Sequence, residues 1–81
     1  MKIIKYGADW CGPCRTAKQL LIDSGVDFTE VDVDENPDAL VQRGINEIPF
    51  FEVLDNNNDI VKTISEGLSK EELQKIIEQY G

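Results

Sequence analysis

The sequence predicts an α/β fold with the element order βαβαββα, in which helices cover both faces of a central mixed four-stranded sheet. Three observations support this prediction. Short runs with the two-residue period of a strand alternate with helical periods, the last two strand-like runs follow each other directly, and turn residues separate the segments. A right-handed crossover makes the first two strands parallel, and the final pair forms an antiparallel hairpin. We expect a single domain over residues 1–81.

The first strand and the first helix flank a turn that contains both cysteines, at residues 10–14. The apolar residues Ile3, Ile4 and Tyr6 predict the strand, which ends at Gly7. After the turn, one helix face is marked at three-to-four-residue spacing by Ala17, Leu20, Leu21 and Ser24. Gly25 stands where a helix stop is expected, so the first helix should end there.

The second strand and the second helix follow directly. Residues 26–33 alternate with a two-residue period, which predicts a strand. We expect Asn36 to cap the next helix and Pro37 to occupy its first position, because the fixed φ of proline suits that position. Apolar contacts are then expected from Leu40 and Val41 before Gly44.

The last third of the chain predicts a hairpin and a helix. Residues 49–54 and 60–64 are strand-like runs, and the Asp and Asn residues between them favour a tight reversal. Ser69 and Glu72 form a capping box at the start of the last helix. The apolar face of that helix is expected to consist of Leu73, Ile76, Ile77 and Tyr80.

Composition excludes several classes of function. The 16 acidic and 8 basic residues give a formal charge of −8, which repels phosphate backbones and anionic lipid headgroups. We therefore expect no nucleic-acid partner and no membrane partner.

No apolar run approaches the roughly 18–20 residues that span a bilayer, and the first six residues do not resemble a signal peptide. The chain is expected to be cytoplasmic.

Cys11 and Cys14 are the candidate catalytic residues. A helix N-terminus favours negative charge, so it should lower the pKa of the Cys11 thiol and make Cys11 the nucleophile. Cys14, one turn further in, should then attack the mixed disulfide.

Two alternatives to a catalytic role of the cysteine pair are half of a zinc site and a structural disulfide staple. A structural zinc site needs about four Cys or His ligands, whereas this chain has two cysteines and no histidine, so no metal is expected.

The motif Trp-Cys-Gly-Pro-Cys at residues 10–14 resembles the active site of thioredoxins, and the resemblance continues along the chain. Residues 32–37 resemble the entry to the family's second helix, residues 44–49 the segment before its cis-proline, and residues 67–69 its last active-site loop. The resemblance implies a thioredoxin-like fold and a thiol–disulfide oxidoreductase that cycles between dithiol and disulfide. It also implies that Cys11 attacks, that Cys14 resolves and that Pro49 is cis.

Further site residues are implied at positions that match the family's motifs. Gly12 and Pro13 support the active-site turn, and Pro13 stiffens it in favour of the dithiol. A shallow groove for an extended substrate segment is implied at Trp10, Ile48, Pro49, Gly67 and Leu68. The alternative for Ile48 and Leu68 is ordinary packing in the core.

The sequence departs from the family pattern in length and in one charged pair. It lacks the leading strand and helix of full-length thioredoxins and has the length of a glutaredoxin. Lys5 and Glu30 stand where thioredoxins carry an acid and a lysine. We expect Lys5 and Glu30 to form a partly buried ion pair beneath Cys14, with a carboxylate that is left buried and unpaired when Lys5 is removed. Alternatively, Lys5 extends along the sheet into water.

The implied partners are protein substrates that contain disulfides and a flavoprotein disulfide reductase. No cofactor is expected in the chain itself, which should act as a monomeric electron carrier. One alternative is a glutathione-dependent glutaredoxin, although residues 67–69 lack the Gly-Gly-x-Asp pattern of that family. A second alternative is a subunit of a larger complex whose binding is switched by redox state.

Overall fold

The computed structural model describes residues 1–65 and 67–81, and within them the chain forms one four-stranded sheet and three helices. The elements in chain order are β1 (Lys2–Gly7), α1 (Gly12–Ser24), β2 (Phe28–Asp32), α2 (Asp38–Arg43), β3 (Phe50–Leu54), β4 (Ile60–Ile64) and α3 (Lys70–Tyr80). This is the predicted order βαβαββα. Among the helices of the described residues, none is long and apolar enough to cross a membrane.

The sheet has the strand order β2-β1-β3-β4. β1 pairs with β2 in parallel and with β3 in antiparallel orientation, and β3 pairs with β4 in antiparallel orientation. The predicted mixed sheet is therefore confirmed. In this register Lys5 on the central strand β1 lies opposite Glu30 on β2 and Phe51 on β3.

Helices pack on both faces of the sheet, as predicted. On one face, α1 and α3 form a buried cluster with the strands that consists of Ile3, Ala17, Leu21, Phe51, Val53, Leu68, Leu73 and Ile76. Complete burial of side chains such as Phe51 and Leu21 contributes about 1.5–3 kcal/mol each. On the other face, α2 covers a smaller cluster around Tyr6, Val33 and Ile45.

Two of the predicted helix ends are confirmed. Gly25 follows α1 with a φ of 74° and donates its N–H to the carbonyl of Ile22, so a residue that tolerates positive φ ends the helix where expected. At the start of α3, the Ser69 hydroxyl accepts a hydrogen bond from the backbone N–H of Glu72 at 3.1 Å.

The predicted start of α2 is wrong in two respects, since Asn36 does not cap the helix and Pro37 does not occupy its first position. Pro37 is the N-cap of this helix, and no side chain caps it. The side chain of Asn36 instead donates a hydrogen bond back to the carbonyl of Asp32 at 3.0 Å, because Asn36 closes the preceding turn.

The core contact that was expected of Val41 in α2 is absent, since this side chain is 83% exposed. A six-residue helix presents a narrow apolar face, and Leu40 occupies it.

The turn between β3 and β4 is the predicted tight reversal. Asp55 accepts hydrogen bonds on its carboxylate from the backbone N–H groups of Asn57 and Asp59, at 2.8 and 3.0 Å. Asn58 has a φ of 64°, a conformation that asparagine tolerates better than most residues. The short polar loop thereby satisfies several of its own backbone donors, and the pairing of the two strands shifts register between Val53 and Leu54.

A buried polar group on the α2 face was not predicted. Glu52 on β3 is buried, and its carboxylate accepts a hydrogen bond from the Tyr6 hydroxyl at 2.7 Å. Arg43 lies 3.6 Å from the second carboxylate oxygen. Burial, followed by the hydrogen bond to Glu52, raises the pKa of Tyr6. Glu52 sits within an apolar strand, so its partners became identifiable only when the strands were placed together.

Candidate active site

Cys11 occupies the N-cap position of α1 and is bonded to Cys14 in a disulfide, with 5.2 Å between their Cα atoms. Its backbone is extended, with φ and ψ of −86° and 112°. The backbone N–H of Cys14 donates a hydrogen bond to the Cys11 sulfur at 3.2 Å. Gly12 and Pro13 form the first turn, where the absent N–H of proline leaves no helical bond unmade. This geometry favours negative charge on the Cys11 sulfur.

The two cysteines differ in burial. Cys11 is 6% exposed, whereas Cys14 is only 1% exposed and belongs to the inner side of the first helical turn. The difference arises because the N-cap residue stands outside the helix, while the residue three positions later faces the sheet. The sulfur of Cys11 is therefore better placed to meet a partner protein than the sulfur of Cys14.

Trp10, which precedes the nucleophilic position, lies on the surface. Its side chain is 68% exposed, and its indole N–H donates a hydrogen bond to the Asp34 carboxylate at 2.8 Å. The bond ties the active-site turn to the loop after β2. Asp34 was not among the predicted site residues, and no local pattern marks it, because the contact joins residues 24 positions apart.

A groove of about 390 Å³ begins at Trp10. Its walls include the apolar side chains of Val33, Leu40, Ile45 and Ile48. The Ile48–Pro49 peptide bond is cis, as the resemblance implied, and Pro49 is buried. Trp10 adjoins Cys11 and Ile48 adjoins Pro49, so the groove joins the cysteine motif to the cis-proline segment.

The two remaining residues of the implied groove lie in different environments. Gly67 is exposed, whereas Leu68 is buried in the cluster formed with α1 and α3. The core-packing interpretation therefore holds for the Leu68 side chain. Ile48, for which the same alternative was open, is half-buried and lines the groove.

Lys5 and Glu30 form the predicted ion pair, with 2.9 Å between the Lys5 ammonium nitrogen and a Glu30 carboxylate oxygen. The side chain of Lys5 is 5% exposed and that of Glu30 is 36% exposed. Burial of this extent excludes the alternative in which Lys5 reaches open water. Lys18 on α1 approaches the second Glu30 oxygen at 3.3 Å.

The expectation about the carboxylate was wrong. Removal of Lys5 would not leave Glu30 buried and alone, because Glu30 keeps solvent and Lys18 as partners. The group that depends on the pair is the Lys5 ammonium. Burial acts to raise the pKa of Glu30, but the hydrogen bond and charge of Lys5, followed by those of Lys18, outweigh burial and lower it below its ordinary value of 4.5.

Gly7 makes room for Cys14 and Lys5. A Cβ atom at this position would lie 2.9 Å from the Cys14 sulfur and 3.3 Å from the Lys5 ammonium nitrogen. A side chain here would thus collide with the sulfur. These residues line a cavity of about 460 Å³ beside Cys14, together with Glu30 and Lys18. Gly7 was predicted only as a strand end, although a glycine in that place also signals a close approach.

Comparisons with known proteins agree on one family. The thioredoxin family model matches residues 1–79. Thioredoxin H5 of Oryza sativa subsp. japonica is 35% identical over 82 residues, which cover 95% of this chain and 59% of the rice protein. The thioredoxin of Listeria monocytogenes is 32% identical over 81 residues, covering 93% of this chain and 78% of that protein. The chain thus spans less than two thirds of the length of the rice relative.

Solved structures of thioredoxins have the same fold. Thioredoxin 1 of Thermosipho africanus has a TM-score of 0.78 and 26% identity, covering 99% of this chain and 93% of that chain. The crystal structure of Plasmodium falciparum thioredoxin has a TM-score of 0.78 and 31% identity, covering 98% of this chain and 70% of that chain.

Proposed function

Because this chain belongs to the thioredoxin family, we propose that it is a thiol–disulfide oxidoreductase that reduces protein disulfides through Cys11 and Cys14. One observation carries the proposal. The two cysteines form a disulfide at the N-terminus of α1, and the N–H of Cys14 is directed at the sulfur of Cys11. A structural staple requires no such donor, whereas a nucleophilic thiolate is stabilised by it.

The proposed cycle transfers two electrons. The Cys11 thiolate attacks one sulfur of a substrate disulfide, and the other substrate sulfur leaves as a thiolate that takes a proton from water. Cys14 then loses its proton and attacks the Cys11 sulfur, which releases the second substrate thiol. The products are a reduced substrate and the Cys11–Cys14 disulfide. The burial of Cys14 supports this order, because a substrate meets Cys11 first.

Substrate recognition is assigned to the groove at Trp10 and Ile48. An extended segment beside the cis-proline would pair through its backbone and place apolar side chains against the groove walls. Such contacts demand little of the substrate's side chains, so we expect broad selectivity among proteins. Gly67 adds an exposed position without a side chain, which leaves space for a bound segment.

Replacement of Trp10 tests this groove. We expect Trp10→Ala to lower kcat/KM for a protein disulfide about tenfold, because a large exposed aromatic contact is lost. The matched control is Val41→Ala, which removes an exposed apolar side chain of α2 outside the groove. Reduction of a small aromatic disulfide reagent should change little in either variant. Equal losses in the two variants with the protein substrate would contradict the assignment.

Re-reduction of the disulfide is assigned to a flavoprotein disulfide reductase of the thioredoxin-reductase type. We also propose that the chain acts as a monomer in the cytoplasm. The relatives support this choice over a glutathione-dependent glutaredoxin, because the rice and Listeria relatives are both thioredoxins. A subunit whose binding is switched by redox state would use the same cysteines without turnover.

Reduction of insulin disulfides separates these functions. We expect turnover when thioredoxin reductase and NADPH supply electrons, and much slower turnover with glutathione and its reductase. Residues 67–69 lack the Gly-Gly-x-Asp pattern that binds glutathione in glutaredoxins, so we expect glutathione to be a poor reductant of the disulfide. The reverse preference would indicate a glutaredoxin. Absence of turnover in both arms, with the disulfide still reducible by dithiothreitol, would contradict the proposed activity and favour the binding subunit.

A further inference from the structure

We propose that the groove at Trp10 and Ile48 prefers substrate segments with basic side chains beside their disulfide, and that Glu47 is the residue that selects them. The inference deepens the proposed function and rests on it, since it names the class of protein disulfide that binds best. It is carried by the apolar walls of the groove, by the two carboxylates that line it and by the lack of a compensating base among its described lining residues.

The walls of the groove are mainly apolar. Among the lining residues, Val33 and Ile45 are buried, and Leu40 and Ile48 are half-buried. Trp10 adds a large exposed ring. Apolar walls of this kind bind many apolar side chains and do not distinguish a basic segment from an acidic one. Discrimination by charge must therefore come from the ionised groups of the groove.

Two carboxylates line the groove, one from the loop after β2 and one from the segment before β3. Asp34 and Glu47 are both exposed. One oxygen of Asp34 accepts the hydrogen bond from the Trp10 indole at 2.8 Å, which fixes this carboxylate beside the tryptophan. Glu47 directly precedes Ile48, at the start of the cis peptide bond. A segment that lies along the groove therefore meets two negative charges.

No basic side chain offsets these charges among the described residues that line the groove. Four acidic residues adjoin lining residues in the chain, namely Asp9, Asp32, Glu35 and Asp38. No lysine or arginine adjoins one. The ion pairs formed within residues 1–65 and 67–81 involve Glu30 and Glu52, which lie outside the groove. The electrostatic potential of the groove is therefore negative, in addition to the formal charge of −8 on the whole chain.

Charge complementarity identifies a basic segment as the occupant of the groove. A lysine or arginine near the substrate cysteine pairs with Glu47, while its aliphatic stem lies against the apolar walls. An acidic segment brings like charges together, and a second copy of this chain, which also carries a formal charge of −8, is repelled. Both carboxylates are exposed, so salt screens them and they impose a preference among many acceptable segments.

The test measures the binding of unreactive peptides to the oxidised protein. The peptides share one apolar sequence, have serine in place of cysteine, and carry either lysines or glutamates beside that serine. The NMR signal of the Trp10 indole N–H reports binding in the groove, because the chain has a single tryptophan. We expect the lysine peptide to have a Kd about tenfold below that of the glutamate peptide at low salt. The two values should converge at about 1 M salt, where the Debye length is roughly 3 Å.

Three variants locate the selecting charge. Glu47→Gln should lower the ratio of the two Kd values about threefold, because it removes one exposed charge from the groove. Asn46→Lys should lower the ratio further, because it places a positive charge among the lining residues. The matched control is Glu78→Gln, which removes the same charge from an exposed position of α3 outside the groove. This control should keep the ratio of the unaltered protein.

Several results would overturn the inference. Equal Kd values for the two peptides at low salt, or tighter binding of the glutamate peptide, would show that the groove does not select basic segments. Equal effects of Glu47→Gln and Glu78→Gln would assign the preference to the charge of the whole chain. A Trp10 signal that moves only with protein concentration would place a second copy in the groove. No electrons are transferred, so failure of the insulin assay would contradict the proposed function without altering this result.

Discussion

Cys11→Ser is expected to lower protein disulfide reduction about a thousandfold or more, whereas Cys14→Ser is expected to stop the cycle after its first step. A serine hydroxyl is a far poorer nucleophile than a thiolate, so no mixed disulfide forms without Cys11. Without Cys14, the mixed disulfide forms and then persists, because the resolving thiol is missing. The asymmetry follows from the N-cap position of Cys11 and the burial of Cys14.

The two variants are compared by incubation with a disulfide-containing protein and gel analysis without reductant. A covalent adduct that disappears on addition of dithiothreitol should accumulate with Cys14→Ser and not with Cys11→Ser. A double serine variant controls for adducts that do not involve these cysteines. Adducts formed by Cys11→Ser alone would reverse the assignment of attacking and resolving residue.

Glu30→Ala is expected to lower the free energy of unfolding by about 2–3 kcal/mol, more than Lys5→Met does. Removal of the carboxylate leaves a buried ammonium without its partner, which is costly. The value lies below that for a fully buried pair because Glu30 is partly exposed and screened by solvent. Lys5→Met replaces the ammonium by an apolar side chain of similar length, so we expect a loss below about 1 kcal/mol.

Urea unfolding of both single variants and the double variant measures the coupling between the residues. The double variant should resemble Lys5→Met, since Glu30→Ala costs little once the ammonium is gone, and the cycle should be non-additive by about 2 kcal/mol. Lys18→Met is the matched control, because it removes a half-exposed partner of the same carboxylate. Additive losses would show that the pair does not couple in solution.

The same pair predicts a dependence of stability on pH. The pKa of Glu30 is lower in the folded protein than its ordinary value of 4.5, so the folded state binds this proton less tightly than the unfolded state does. The contribution of the carboxylate is therefore present above that value and is lost as the pH falls through the folded pKa. The difference in unfolding free energy between the unaltered protein and Glu30→Gln should shrink in that acidic range.

Several features of the fold could be predicted from local sequence. Gly25 ends α1 and Ser69 caps the start of α3. Each residue acts on backbone groups only a few positions away, so both helix ends can be predicted from the local sequence. The wrong prediction that Asn36 caps α2 also has a local cause. Its side chain had two nearby uses, and the bond to Asp32 prevailed over the cap. Propensity alone does not rank two such bonds.

The sequence by itself determined the order of the elements, the mixed sheet and the pair Cys11 and Cys14 at a helix start. These follow from periodicity, from turn residues and from a motif confined to five positions. Only the tertiary structure decided how buried each charge is and what lies beside each sulfur. Lys5 and Glu30 are 25 residues apart, and their exposures depend on the helix above them. The Cys14 sulfur approaches Gly7 so closely that a Cβ atom there would collide with it, and such long-range packing leaves no periodic trace in the chain.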